Sequence, residues 1–104
     1  MSRSLEQRPV TGGDEDVRVA GLRTAVSRLR RELAALPADF PDRGIAEDEL
    51  AALAAMAAGG VPETPRLRRS LLLIAGAIGS VSALARGLTE VRDAVDLFGE
   101  PPGR

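Results

Sequence analysis

Three carboxylates in succession, Glu47-Asp48-Glu49, and a second set, Asp14-Glu15-Asp16, are by type the groups best suited to hold a cation or share a proton. Their spacing argues against both roles. Adjacent residues on a helix point about 100° apart, so three in a row do not converge on one ion. Each set instead stands where a helix is expected to start, and negative charge there complements the helix dipole. Ser70, Ser80 and Ser82 are hydroxyl nucleophiles by type, but the chain has neither His nor Lys to take their protons. Ser within an apolar helix back-bonds to a carbonyl or allows close packing. Gly12-Gly13 and Gly76-Ala-Ile-Gly79 have no strand–loop–helix context and are not phosphate loops. With no Cys, there is no thiol nucleophile, zinc-thiolate site or disulfide framework. The residues predict no catalytic set, no cofactor and no metal, and therefore not an enzyme.

The cations are a separate matter. All 14 basic residues are Arg, against 15 acidic ones, for a net charge of −1. A strongly basic nucleic-acid binder is not indicated by that balance. Arg66, Arg68 and Arg69 form one cluster, in the first turn of a predicted helix, where cations oppose the dipole. Two accounts are open. In the first, the preceding helix runs antiparallel alongside, and its C-terminal carbonyls attract the three guanidinium groups. In the second, they are contacts for an anionic partner: an acidic protein, a lipid surface or a phosphate backbone. Nucleic acid is the weakest of these, because no aromatic rings stand nearby to stack bases.

Three helices are predicted to position these groups. Met1–Gly13 reads as a flexible tail, with little apolar periodicity, one Pro and a Gly-Gly pair. The first helix spans about 14–36, with Arg28, Arg30 and Arg31 toward its C-terminal end. It carries a heptad, Val19, Val26 and Leu33 at a with Leu22, Leu29 and Leu36 at d, a pattern that in coiled coils favours two-stranded pairing; three heptads are the lower limit for one, and an ordinary bundle helix is the favoured reading of the helix itself. Pro37 ends it, and in the loop that follows Phe40 is placed to plug the end of a core. The second helix runs over about 46–58, with Asp42 as a candidate cap and Leu50, Leu53 and Met56 or Ala57 as its stripe. Gly59-Gly60 stops it. Thr64 and Pro65 open the third, by capping and by fitting the first turn.

That third helix is predicted to continue to Phe98, before Gly99 and Pro101-Pro102, a length of about 50 Å. Leu67, Ile74, Val81, Leu88 and Val95 recur every seven residues along it. On the opposite side run the small residues Gly76, Ser80, Ala83 and Gly87, with Gly79 close by. A helix with a seam on each side needs neighbours on both, more than a 104-residue chain readily supplies. A second copy is therefore expected against the small-residue seam and the heptad. Ser70–Ala85 is uncharged but shorter than the ~20 residues that cross a bilayer, and no secretory signal is visible. A buried helix is the expected state of that run, with peripheral membrane association the alternative.

The segments LRRSLLLIAGAIGSVSALARGLTEVRDAVDLFG and RTAVSRLRRELAALPADFPDRGIAEDELAALAAM resemble a family of short actinobacterial helical proteins of unknown function, over about residues 17–99. The Arg-rich, Lys-free composition fits a GC-rich bacterial source. The resemblance implies an accessory part of a multi-component effector system and carries no functional residues with it. The expectation is thus an all-α, small three-helix bundle with a long C-terminal helix, completed by oligomerisation. It comprises a tail (1–13), one helical domain (14–98) and a second tail (99–104). Its expected role is that of a non-enzymatic oligomerisation or adaptor module, cytoplasmic, binding itself as a homodimer and a further protein. The interface would use Val19, Leu22, Val26, Leu29, Leu33, Gly76, Gly79, Ser80, Ala83 and Gly87. A membrane-peripheral protein using residues 70–85, or a nucleic-acid accessory factor using the Arg clusters, are the alternatives.

Overall fold

The computed structural model describes residues 16–37 and 39–99. Both tails predicted from sequence, apart from Gly99, lie outside them, as do Asp14 and Glu15. Among the described residues four helices follow one another: α1 (Val17–Ala35), α2 (Arg43–Ala58), α3 (Thr64–Ile78) and α4 (Ala85–Gly99), with a 3₁₀ turn (Ser82–Leu84) before the last. The described residues contain no strand.

Local chemistry sets the boundaries. Asp16 caps α1, its carboxylate accepting from the backbone N–H of Arg18 at 2.8 Å. The same carboxylate takes the Arg18 guanidinium at 2.7 Å, and the Arg18 contact holds its pKa down at about 2. At the other end of α1, Arg43 reaches back from α2. Its guanidinium donates to the carbonyl of Leu33 (2.6 Å), which also accepts the Leu36 N–H, and to that of Leu36 (3.2 Å), just past the helix end. This clamp starts α2 at Arg43, three residues earlier than its apolar pattern suggests. Asp42 occupies the cap position of α2 but makes no side-chain cap bond. Gly60, with φ 117°, turns the chain out of α2 in a conformation that strains other residues.

The long C-terminal helix predicted over 65–98 is two helices. α3 ends at Ile78, and Gly79 closes it through a backbone N–H to the Ala75 carbonyl at 2.8 Å. Val81 is extended, and the chain turns back through the 3₁₀ turn into α4. Gly79, Ser80 and Ser82 are poor helix formers placed together, so interrupting the helix there costs little. Reversal also has a gain. One straight helix would leave half its large-residue seam beyond the reach of two short partners. Folded back, Leu67, Ile74 and Ile78 of α3, Leu84 of the 3₁₀ turn and Leu88, Val91 and Val95 of α4 enter one core. Thr64 is the first residue of α3 rather than its cap. Its hydroxyl donates instead to the Phe98 carbonyl at the end of α4.

The result is an up-down-up-down arrangement in which α2 packs on α1 and α3, and α4 packs on α3 and α1. Contacts fix the directions. Arg28 meets Glu90 at 2.8 Å while Arg18 lies over the Phe98 ring, so α1 and α4 are antiparallel. At Gly87 the two helices come close. A Cβ there would meet Leu29 Cδ1 at 2.9 Å and collide with the Glu32 carboxylate. Phe40 packs against the core edge, half-buried, with Arg43 over its ring.

Candidate interaction surface

The heptad predicted to pair with a second chain is used inside this one. Val19, Leu22, Val26, Leu29 and Leu33 all face the core, with at most 5% of their surface exposed. This corrects the expectation that they form an interface. A seven-residue repeat marks one apolar helix face, and α2 and α4 already cover it. The small-residue seam likewise divides. Gly87 is buried between α4 and α1, whereas Gly76, Gly79, Ser80 and Ala83 are exposed around the end of α3 and the turn after it. The two opposite seams of one helix do not exist, because the helix itself is broken.

The α3 surface remains open. Leu67, Ser70, Ile74 and Ile78 turn inward. Leu72 lies on the other side and is 74% exposed, with Leu73 beside it at 42%. One turn further on, nothing stands within 4 Å of where a Gly76 side chain would begin, so the backbone there forms an open notch. Sequence reasoning missed both leucines because it treated the uncharged run as buried throughout. Their helical phase was the available signal, since a three-leucine run cannot face one side.

A groove of about 510 Å³ runs between this surface and α2, lined by Glu49, Ala52, Ala55, Met56, Arg66, Arg69, Ser70 and Leu73. At its base the buried Ser70 hydroxyl donates to Glu49 Oε1 at 2.9 Å. That bond occupies the one hydroxyl of the three predicted serines that reaches the interior, whereas Ser80 and Ser82 are exposed. Glu47 pairs with Arg43, Glu49 with Ser70, and Asp48 points to solvent, so the acidic triplet separates as its spacing requires. No group of acidic side chains among the described residues could hold a metal ion.

The Arg cluster separates too. Arg68 extends to the C-terminal end of α4, where a Cβ on Gly99 would collide with its guanidinium. A cation there complements the α4 dipole. The helix that accommodates it is thus α4, not α2. Arg66 and Arg69 lie on the groove, and their guanidinium groups make no ion pair or hydrogen bond with any described residue.

A second depression, between α1 and α4, is floored by Ala20, Gly21, Ala25 and Ala94 and bordered by the Arg28–Glu90 pair. No described helix is long and apolar enough to cross a membrane. Among known families, the model of one described as a family of unknown function matches residues 11–99. No curated protein and no solved structure matches the chain.

Proposed function

The chain belongs to that family of unknown function, DUF5955, and we propose that it is a non-enzymatic helical interaction module that self-associates through the outer face of α3. One observation carries this reading: Leu72 and Leu73 point outward, side by side, next to the open notch at Gly76. Burying them on a neighbour gains about 1.5–3 kcal/mol for a fully covered leucine. A glycine notch lets a second helix approach closely enough for dispersion contacts. The core needs no partner, so association joins two folded bundles rather than completing one.

A second copy is the simplest occupant, since the face offers both the projecting leucine and the notch to receive it. Sedimentation velocity tests the reading. At tens of micromolar the protein is expected as a dimer. Leu72→Glu is expected as a monomer with unchanged helix content, because Leu72 contributes nothing to the core. A wild-type monomer at that concentration would overturn the reading.

A further inference from the structure

The geometry points to an antiparallel two-fold pairing of α3 helices in which Arg66 and Arg69 of each copy lie against Asp39 and Asp42 of the other. This rests on the self-association proposed above and assigns the anionic partner of the arginines.

Heights along the bundle follow from one contact. Glu49 of α2 stands beside Ser70 of α3, and the two helices run in opposite directions. Counting outward from that pair, Asp42 stands at the height of Ala77, and Arg69 at the height of Leu50. The α2–α3 hairpin therefore has an end that is net positive, with Arg66 and Arg69 against Glu63, and an end that is net negative, with Asp39 and Asp42 beside the Arg43–Glu47 pair. Arg66, Arg69, Asp39 and Asp42 are exposed, and none makes an ion pair or side-chain hydrogen bond with a described residue. Asp42 also belongs to the groove side of α2. It shares a helical stripe with Ile45, Glu49, Ala52 and Met56, and Ile45 is a further exposed apolar residue.

Two copies with this polarity have one favourable orientation. A parallel pairing sets the two Arg clusters together and the two Asp ends together. Such like-charge contacts suppress an orientation. An antiparallel pairing about an axis near Ile74 sets Leu72 of one copy over the Gly76 notch of the other, twice. The same operation carries Arg69 to the height of Gly79 in the second copy, within about two residues of the Asp42 height. At 1.5 Å per residue that offset is about 3 Å, which an arginine side chain spans. Knob, notch and both charged ends are satisfied by a single two-fold, as an isologous contact requires.

Charge reversal tests the register. Arg66→Glu with Arg69→Glu is expected to weaken dimerisation at least about tenfold, from four half-exposed pairs turned repulsive. Asp39→Arg with Asp42→Arg should do the same. Mixed in equal amounts, the two variants should form a one-to-one heterodimer, since both sets of pairs are then complementary again. Combining all four changes in one chain should restore the homodimer, which also controls for any loss of fold in either double variant. Two results overturn the register: reversed variants that dimerise like the wild type, or a mixture that stays monomeric. If Leu72→Glu disperses the dimer while reversal has no effect, the register fails and the self-association reading stands. A monomeric wild type removes both.

Discussion

Gly87 and Gly21 are both helical glycines, and the same substitution should move stability in opposite directions at the two positions. Gly21 lies in α1 with nothing within 4 Å of an added Cβ. Alanine there gains the helix preference, about 1 kcal/mol. Gly87 faces α1 across a close approach. An added Cβ would stand 2.9 Å from Leu29 Cδ1, whereas carbon atoms rest about 3.5–4.0 Å apart. The Glu32 carboxylate also overlaps the new atom, but it ends a flexible side chain and can swing away. Leu29 cannot, because it is wholly buried. Overpacking of this kind costs about 1–3 kcal/mol. Set against the same helix gain, Gly87→Ala should lose about 1 kcal/mol net. The two variants then differ by about 2 kcal/mol, which is about 8–16 °C in melting temperature for a domain of this size. Both positions are away from the proposed α3 interface, so thermal denaturation followed by circular dichroism reads the bundle alone. If Gly87→Ala stabilises as much as Gly21→Ala, α1 and α4 do not approach as described.

Further expectations concern the helix ends. Asp16→Ala should lower the denaturation midpoint by removing the α1 cap. Because the folded pKa of Asp16 lies below its ordinary value of 3.8, the cap's contribution is complete above that value. It is lost as pH falls through about 2. Titration of the Asp16 carboxylate by NMR with an inflection near 4 would contradict this. Arg43→Met should cost about 1.5–3 kcal/mol by removing the guanidinium bonds to two α1 carbonyls. Arg43→Lys should recover only part of that loss, since an ammonium cannot reproduce the planar fork. Equal denaturation midpoints for wild type and Arg43→Met would show the clamp to be idle. Arg28→Ala, by contrast, removes an exposed pair with Glu90 and should leave the midpoint nearly unchanged in the same assay.

The all-helical class was legible from periodicity, and so was the core. The heptad Val19–Leu33 and the repeat through Leu67, Ile74, Leu88 and Val95 are buried residues. What periodicity could not supply was the destination of each face. A seven-residue repeat looks the same whether the helix packs on its own chain or on another, which is why the α1 heptad suggested a partner. The break after Ile78 was hidden for a related reason. The spacing from Ile74 to Val81 to Leu88 continues across it, although Gly79 and Ser80 lie between. In the candidate surface, Gly76 and the Arg cluster were visible as residue types. Leu72 and Leu73 were not separated from their buried neighbours, because composition cannot divide a run of leucines between inside and outside. The partition of Arg68 from Arg66 and Arg69 depends on where α4 ends, a fact that arises only once the chain has reversed.

The stacking of Arg18 on Phe98, 4.9 Å from the guanidinium carbon to the ring centre, has a topological consequence. It places the start of α1 and the end of α4 at the same pole of the bundle. A short linker could join those two points. The chain could then be opened instead at Gly59, Gly60 and Val61, all exposed. The helices would follow in the order α3, α4, α1, α2 with every packed pair preserved. The α1–α4 contact, now made between the first and last helices, would become a contact between neighbours. The α2–α3 hairpin would take its place as the long-range closure. The bundle is in this sense a ring of four helices whose point of opening is not fixed by its packing.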